Sequence, residues 1–131
     1  NSAKPPQVIA VTVLTSLDDT DLNAIGFGQG AAETVRRLAG AAADAGCQGM
    51  VCSPHEIAVL RTDLGPDFTL VVPGIRPTGI ETGDQKRAMT PSEAASLGAD
   101  ILVVGRPITE ATDPPAMAAQ VVREAQQGLA N

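Results

Sequence analysis

The chain has 131 residues, 44% hydrophobic and 18% charged, a balance that describes one globular domain rather than a disordered segment. Fifteen acidic against nine basic residues leave a net charge of −6, and the only aromatic side chains of the Phe, Trp and Tyr class are two Phe. That combination offers neither a basic surface for phosphate backbones nor a platform for stacked bases, and no run is apolar enough to span a bilayer, so neither nucleic acid nor membrane is an expected partner.

The opening, Asn1-Ser2-Ala3-Lys4-Pro5-Pro6, has neither an initiator Met nor the apolar core of a signal peptide, as expected of a piece cut from a longer chain. A first strand is predicted over Val8–Leu14. Asp18, Asp19 and Asp21 follow without a defined ligand pattern and read as a solvated acidic loop leading into a helix rather than a metal site. The glycines between Gly26 and Gly30 lack the dinucleotide fingerprint and read as a flexible helix lead-in. Residues 31–45 place Ala31, Val35, Leu38, Ala42 and Ala45 at spacings of three and four, which predicts a helix with those residues as its apolar stripe and Gly46 as its C′ residue.

A second strand is predicted over Gly49–Cys52. Cys47, Cys52 and His55 are too few for a structural zinc site, and both thiols are expected buried and reduced, which suits a cytoplasmic compartment. Ser53-Pro54-His55-Glu56 has the form of a capping box with proline at the first helical position, and His55 is expected at the surface. The third strand, Phe68–Val72, leads into a connection from Arg76 to Met89 that far exceeds the usual loop of about two to six residues, and it reads either as a lid that closes on a ligand or as a variable surface loop. Thr90-Pro91-Ser92-Glu93 repeats the capping device before a short helix ending at Gly98. After a fourth strand, Ile101–Val104, Asp113-Pro114 starts an Ala-rich helix over about 115–127 that is expected to pack on the outside of the domain.

Helix starts that follow strand ends in series argue for βα units and a parallel sheet, and the near-continuous apolar runs read as strands covered on both faces. Leu70-Val71-Val72-Pro73-Gly74-Ile75-Arg76-Pro77 resembles Leu102-Val103-Val104-Gly105-Arg106-Pro107, about 32 residues on, the pitch of a βα repeat. Four units are half of a (β/α)8 barrel, and an open four-stranded sheet would leave two long apolar edges. The predicted fold is therefore α/β, half of a TIM barrel with a parallel sheet, with residues 1–131 as one partial domain. Reactive groups in such barrels lie at the carboxyl ends of the strands. There the sequence puts Thr15, Ser16, Ser53, the Pro73–Arg76 segment, Gly105 and Arg106. Two guanidinium forks beside glycine amides are the chemistry of an anion site, phosphate above all.

Five segments in order carry a family resemblance: Ala10-Val11-Thr12-Val13-Leu14-Thr15-Ser16, Gly49-Met50-Val51-Cys52-Ser53, Val72-Pro73-Gly74-Ile75-Arg76-Pro77, Gly83-Asp84-Gln85-Lys86-Arg87 and Val104-Gly105-Arg106-Pro107-Ile108. They resemble the carboxyl-terminal half of orotidine 5′-phosphate decarboxylase, over nearly the whole chain. The resemblance implies a cofactor-free decarboxylation of orotidine 5′-phosphate to UMP in pyrimidine biosynthesis, and a homodimer. It implies that Thr15 hydrogen-bonds the pyrimidine, that Pro73 opens the segment lining the pocket, and that Arg76 contacts the ligand. It further implies that Gln85 reaches across to phosphate and base, and that Gly105 and Arg106 hold the phosphate.

The same resemblance exposes a departure. The family's alternating Asp and Lys network, with the Lys that protonates C6, belongs to the first half-barrel. Here the only lysines are Lys4 and Lys86, and neither sits in that arrangement. No catalytic residue is therefore assigned, and a missing amino-terminal half-barrel is the implied partner. Two other functions fit the same residues: a phosphosugar decarboxylase or epimerase sharing the barrel and phosphate site, or a non-catalytic half-barrel that self-associates or complements a partner.

Overall fold

The computed structural model describes residues 5–81, 83 and 86–130. Four short strands, β1 (Ile9–Val11), β2 (Gly49–Val51), β3 (Thr69–Val72) and β4 (Ile101–Leu102), form one sheet in sequence order. Every neighbouring pair is parallel. The connections carry α1 (Asp19–Ala24), α2 (Ala31–Asp44), α3 (Ile57–Leu64), α4 (Pro91–Ser96), α5 (Arg106–Thr109) and α6 (Pro114–Leu129), with a single 3-10 turn over Pro54–Glu56 ahead of α3. Four parallel strands in consecutive order with intervening helices are half of a (β/α)8 barrel.

The caps work as their sequences predict. Ser53 and Glu56 form a reciprocal box, as do Thr90 and Glu93, and the Asp113 side chain accepts from Ala116 N–H at 3.0 Å. The acidic cluster is a third box: Asp18 and Asp21 exchange hydrogen bonds at the start of α1. Asp19 instead caps the next helix, its carboxylate accepting from Ala31 N–H at 2.7 Å. The glycine-rich lead-in is thus held in place by a side chain twelve residues upstream. A one-turn helix after β4, α5, has no counterpart among the predicted elements.

Register and burial together divide the sheet into two unequal faces. Met50, Cys52, Leu70 and Val72 are fully buried, and they join Val35 of α2, Ile57 and Leu60 of α3, and Ala94 of α4 in one core. Burying each large side chain of that set favours folding by roughly 1.5–3 kcal/mol. The alternate row pairs Val11 with Val51, Val51 with Val71 and Val71 with Ile101. Its outer members stay open, Val11 at 60% exposure and Ile101 at 50%. The expectation that both faces are covered is corrected here. The helices cover one face only, and the other is the face that closes inward when a barrel has eight strands.

Two finer expectations also change. The buried stripe of α2 is Ala31, Thr34, Val35 and Ala39, whereas Leu38 is 40% exposed and Ala45 is exposed. Leu38 lies about 100° around the helix from Ala39, and the strand-facing stripe follows the small side chains, which let α2 approach the sheet. Cys52 is buried as expected, but Cys47, in the turn before β2, is only half-buried; both thiols are free. His55 is exposed, in line with its reading as a surface residue.

Candidate functional site

The strand register explains how two distant arginines come together. Val72 pairs with Leu102, an offset of 30 residues that also separates Arg76 from Arg106. Each arginine therefore leaves an adjacent strand at an equivalent place beyond its carboxyl end, although the sequence repeat aligns best at a slightly longer interval. Arg76 and Arg106 both line a cavity of about 300 Å3 at those strand ends. Thr15, Pro73 and Gly105 line it too, so five of the six predicted binding residues share one space. Gln85, the sixth, lies outside the described residues, as does Lys4.

The floor of the cavity is apolar, with Val11 and Val51 from the open face of the sheet and Val103 just beyond β4. Its rim is polar and cationic. This is the division a ligand with a flat ring and an anionic tail requires: dispersion contacts below the ring, directed donors at the charge. Thr15 is buried at the edge of the cavity, in the turn that follows β1. The two arginines also line a larger groove of about 670 Å3, between the start of the long loop and the α5–α6 segment. Cavity and groove meet at the arginine pair.

The long loop is anchored at its base. Arg76 N–H donates to Met89 O at 2.9 Å and Met89 N–H donates to Gly74 O at 3.2 Å, an isolated parallel bridge between Ile75 and Met89. Gly74 must be glycine: its φ is +77°, and an added Cβ would stand 3.2 Å from both Arg87 O and Thr15 Cγ2. Pro77 is buried just past the bridge. At the returning end, Lys86 Nζ lies 2.8 Å from Asp21 and 3.0 Å from Asp18, which ties the loop to the first turn of α1. Those carboxylates hold the Lys86 ammonium above its ordinary range, and the Asp21 backbone N–H together with Lys86 holds Asp18 below its own.

One arrangement escapes sequence reasoning altogether. Arg87 is 7% exposed and forms a buried ion pair with Glu56, which is 3% exposed. Arg87 Nη2 also donates to Val13 O at 3.2 Å and to Leu14 O at 3.0 Å. Glu56 accepts from Ser53 N–H at 2.9 Å through its other oxygen. In the sequence Glu56 is legible only as the third residue of a capping box and Arg87 only as one more polar loop residue. Nothing in the spacing of two residues 31 apart pairs them.

Among the described residues no group of three or more His, Cys, Asp or Glu could hold a metal ion, and no helix is long and apolar enough to cross a membrane. Lys86, the one lysine described, is engaged at the surface with Asp18 and Asp21 and does not line the cavity.

Comparison with known proteins agrees with this fold. The family model for the orotidine 5′-phosphate decarboxylase / HUMPS family matches residues 1–121. Orotidine 5′-phosphate decarboxylase from Rhodospirillum rubrum is 58% identical over 118 residues, covering 90% of this chain and 47% of the relative. The enzyme of that name from Paramagnetospirillum magneticum is 53% identical over 120 residues, covering 92% of this chain and 51% of the relative. A crystal structure of orotidine 5′-phosphate decarboxylase from Lactobacillus acidophilus superposes with a TM-score of 0.75 at 38% identity, over 95% of this chain and 51% of that one. The chain spans about half the length of the relatives it matches, and that half is the four βα units described above. With a family model matched across nearly all of its length, the chain belongs to the orotidine 5′-phosphate decarboxylase / HUMPS family.

Proposed function

We propose that this chain is the ligand-holding half of an orotidine 5′-phosphate decarboxylase. The observation that carries the reading is the convergence of Thr15, Arg76, Gly105 and Arg106 on one cavity with an apolar floor. Arg76 and Arg106 take the phosphate, with the Gly105 backbone letting the anion approach closely; Pro73 lines the pocket and Thr15 hydrogen-bonds the pyrimidine edge. Gln85, by the family resemblance, contacts base and phosphate. The remainder of the barrel comes from sequence outside these 131 residues, and the assembled protein is a cytoplasmic homodimer, as the family resemblance implies.

The reaction divides the labour between the halves. The bond from C6 to the carboxylate breaks, carbon dioxide leaves, and the electron pair left at C6 takes up a proton. Among the described residues, no lysine lines the cavity to donate that proton. Its contribution is binding energy from a group remote from C6, which lowers the barrier when it is realised more fully in the transition state than in the ground state. The reading uses guanidinium and backbone amide groups, which donate to anions, and calls on no metal or redox group.

Two measurements test it. In the complete protein, with the amino-terminal half that the relatives carry, Arg106→Ala is expected to weaken UMP on the order of a hundredfold while leaving uridine within about threefold, since only UMP carries the charge-assisted contacts. Equal losses for both ligands remove Arg106 from the phosphate site. The 131-residue chain alone is expected to show no decarboxylation of orotidine 5′-phosphate above background, and turnover by it refutes the division of labour. The family model also spans HUMPS proteins, so a phosphosugar decarboxylase or epimerase is the second reading. A pentose phosphate that displaces UMP at equal concentration favours it.

A further inference from the structure

Arg87 is where the ends of three strands meet. Beyond β1, its Nη2 holds the carbonyls of both Val13 and Leu14. Beyond β2, its Nη1 pairs with Glu56, whose second oxygen fixes the Ser53 N–H. Beyond β3, its backbone carbonyl lies so close to Gly74 that a Cβ there would stand 3.2 Å from it, the same distance as from Thr15 Cγ2. Successive carbonyls of an extended strand point in opposite directions. Two of them facing one nitrogen means that the chain has turned out of β1 at Val13 and Leu14, and Arg87 holds that turn. The next residue is Thr15.

We infer that the buried Arg87–Glu56 pair is a positioning device that sets Thr15 against the pyrimidine and couples it to the return of the long loop. The inference rests on the functional reading above, in which Thr15 meets the base. A buried ion pair adds little to stability compared with apolar residues of the same shape, so geometry is the better account of its presence. Arginine suits the task because its planar fork reaches the Glu56 carboxylate with one nitrogen and the backbone carbonyls with the other; a lysine ammonium has no such fork. Arg87 also stands two residues before Met89, which bridges to Ile75 at the base of the long loop. The base of that loop and the turn that presents Thr15 thus share one anchor. Arg87 touches no ligand in this account and acts through Thr15.

The test compares UMP with ribose 5-phosphate, which carries the phosphate but no base, as ligands of the complete protein. Arg87→Lys is expected to weaken UMP about tenfold and ribose 5-phosphate less than about twofold, the size of a lost contact to a charged fork. Combined with Thr15→Val, it is expected to cost less than about twofold further, because two residues acting through one contact are not additive. Equal losses for the two ligands, or losses that multiply in the double variant, overturn the inference and leave Arg87 a stabilising residue only. If Arg87→Lys fails to fold, Glu56→Gln carries the same comparison, since its amide oxygen can still accept from Ser53 N–H. A wild-type protein that binds ribose 5-phosphate but not UMP overturns the nucleotide reading, and this inference with it.

Discussion

Gly128 of α6 rests directly on Ser92 of α4: a Cβ added at Gly128 would stand 2.0 Å from the Ser92 carbonyl oxygen. α4 and α6 therefore meet backbone to backbone at this point, and no side chain fits between them. Gly128→Ala is expected to force the helices apart and destabilise the protein by about 1–3 kcal/mol, lowering the thermal midpoint by roughly 5–10 °C. Gly40, inside α2, is the control, because nothing lies within 4 Å of its added Cβ. Gly40→Ala is expected to raise the midpoint, by about 0.5–1 kcal/mol of helix stability. Thermal unfolding of the two variants side by side checks both signs.

The Lys86 tether gives the loop a pH window. Asp18 is held below its ordinary 3.8, so its contribution is whole above that value and lost as pH falls through the lower folded one. Lys86 is held above its ordinary 10.5, so its contribution is whole below that value and lost as pH rises through the higher folded one. Both groups are well exposed, and salt screens them. Lys86→Met is expected to speed hydrogen exchange around the loop's return at neutral pH and low salt. The difference from wild type shrinks in strong salt and disappears in acid; a difference that persists in both rules out the tether.

The two thiols should behave differently. Burial pushes the Cys52 thiol up to about 12, and Glu56 adds to the effect. Cys47 is half-buried in a turn. A thiol reagent at pH 8 is expected to modify one cysteine in the folded protein and two after denaturation, with Cys47→Ser abolishing the folded-state reaction. Reaction of Cys52 in the folded state would contradict the packing of β2 against the helices.

Arg61 secures the opposite end of the sheet. Its guanidinium donates to Gly98 O at 2.9 and 2.6 Å and to Phe68 O at 2.6 Å, and pairs with Asp100, which itself accepts from Leu70 N–H at 2.7 Å. Arg61→Lys keeps the charge and loses the fork, and is expected to cost about 2 kcal/mol of stability. UMP affinity should not change, because none of these contacts lies at the carboxyl ends of the strands. A matching loss of affinity would show that the two ends of the sheet are coupled.

Four arginines, Arg61, Arg76, Arg87 and Arg106, mark the limit of what the sequence discloses. Strands, caps and the pair Arg76 and Arg106 are legible, because each depends on local pattern: apolar runs, box residues three apart, and a repeated Gly and Arg-Pro motif after a strand. Arg61 and Arg87 are not, because each is defined by carbonyls and carboxylates brought in from other βα units. Leu38 shows the same limit in an apolar residue. A helical stripe read from spacing alone admits it, and only the approach of α2 to the sheet decides that small Ala39 goes in and Leu38 stays out. The open face of Val11 and Ile101 is invisible for a related reason, since an apolar run states that a strand can be covered and not by what.

The bridge between Ile75 and Met89, with Arg76 and Arg87 just inside it, leaves the middle of the segment between them an interchangeable part. The chain leaves and re-enters the fold at one place, tied by two hydrogen bonds, so the sheet does not register how long the excursion is. Doubling a flexible loop between fixed ends costs only about 0.6 kcal/mol of closure entropy. Insertions and deletions between Thr78 and Lys86 can therefore accumulate while strand register, core, the arginine pair and the Arg87–Glu56 anchor stay as they are. A lineage can explore new ligands by redrafting that short stretch, and the barrel need never be redesigned.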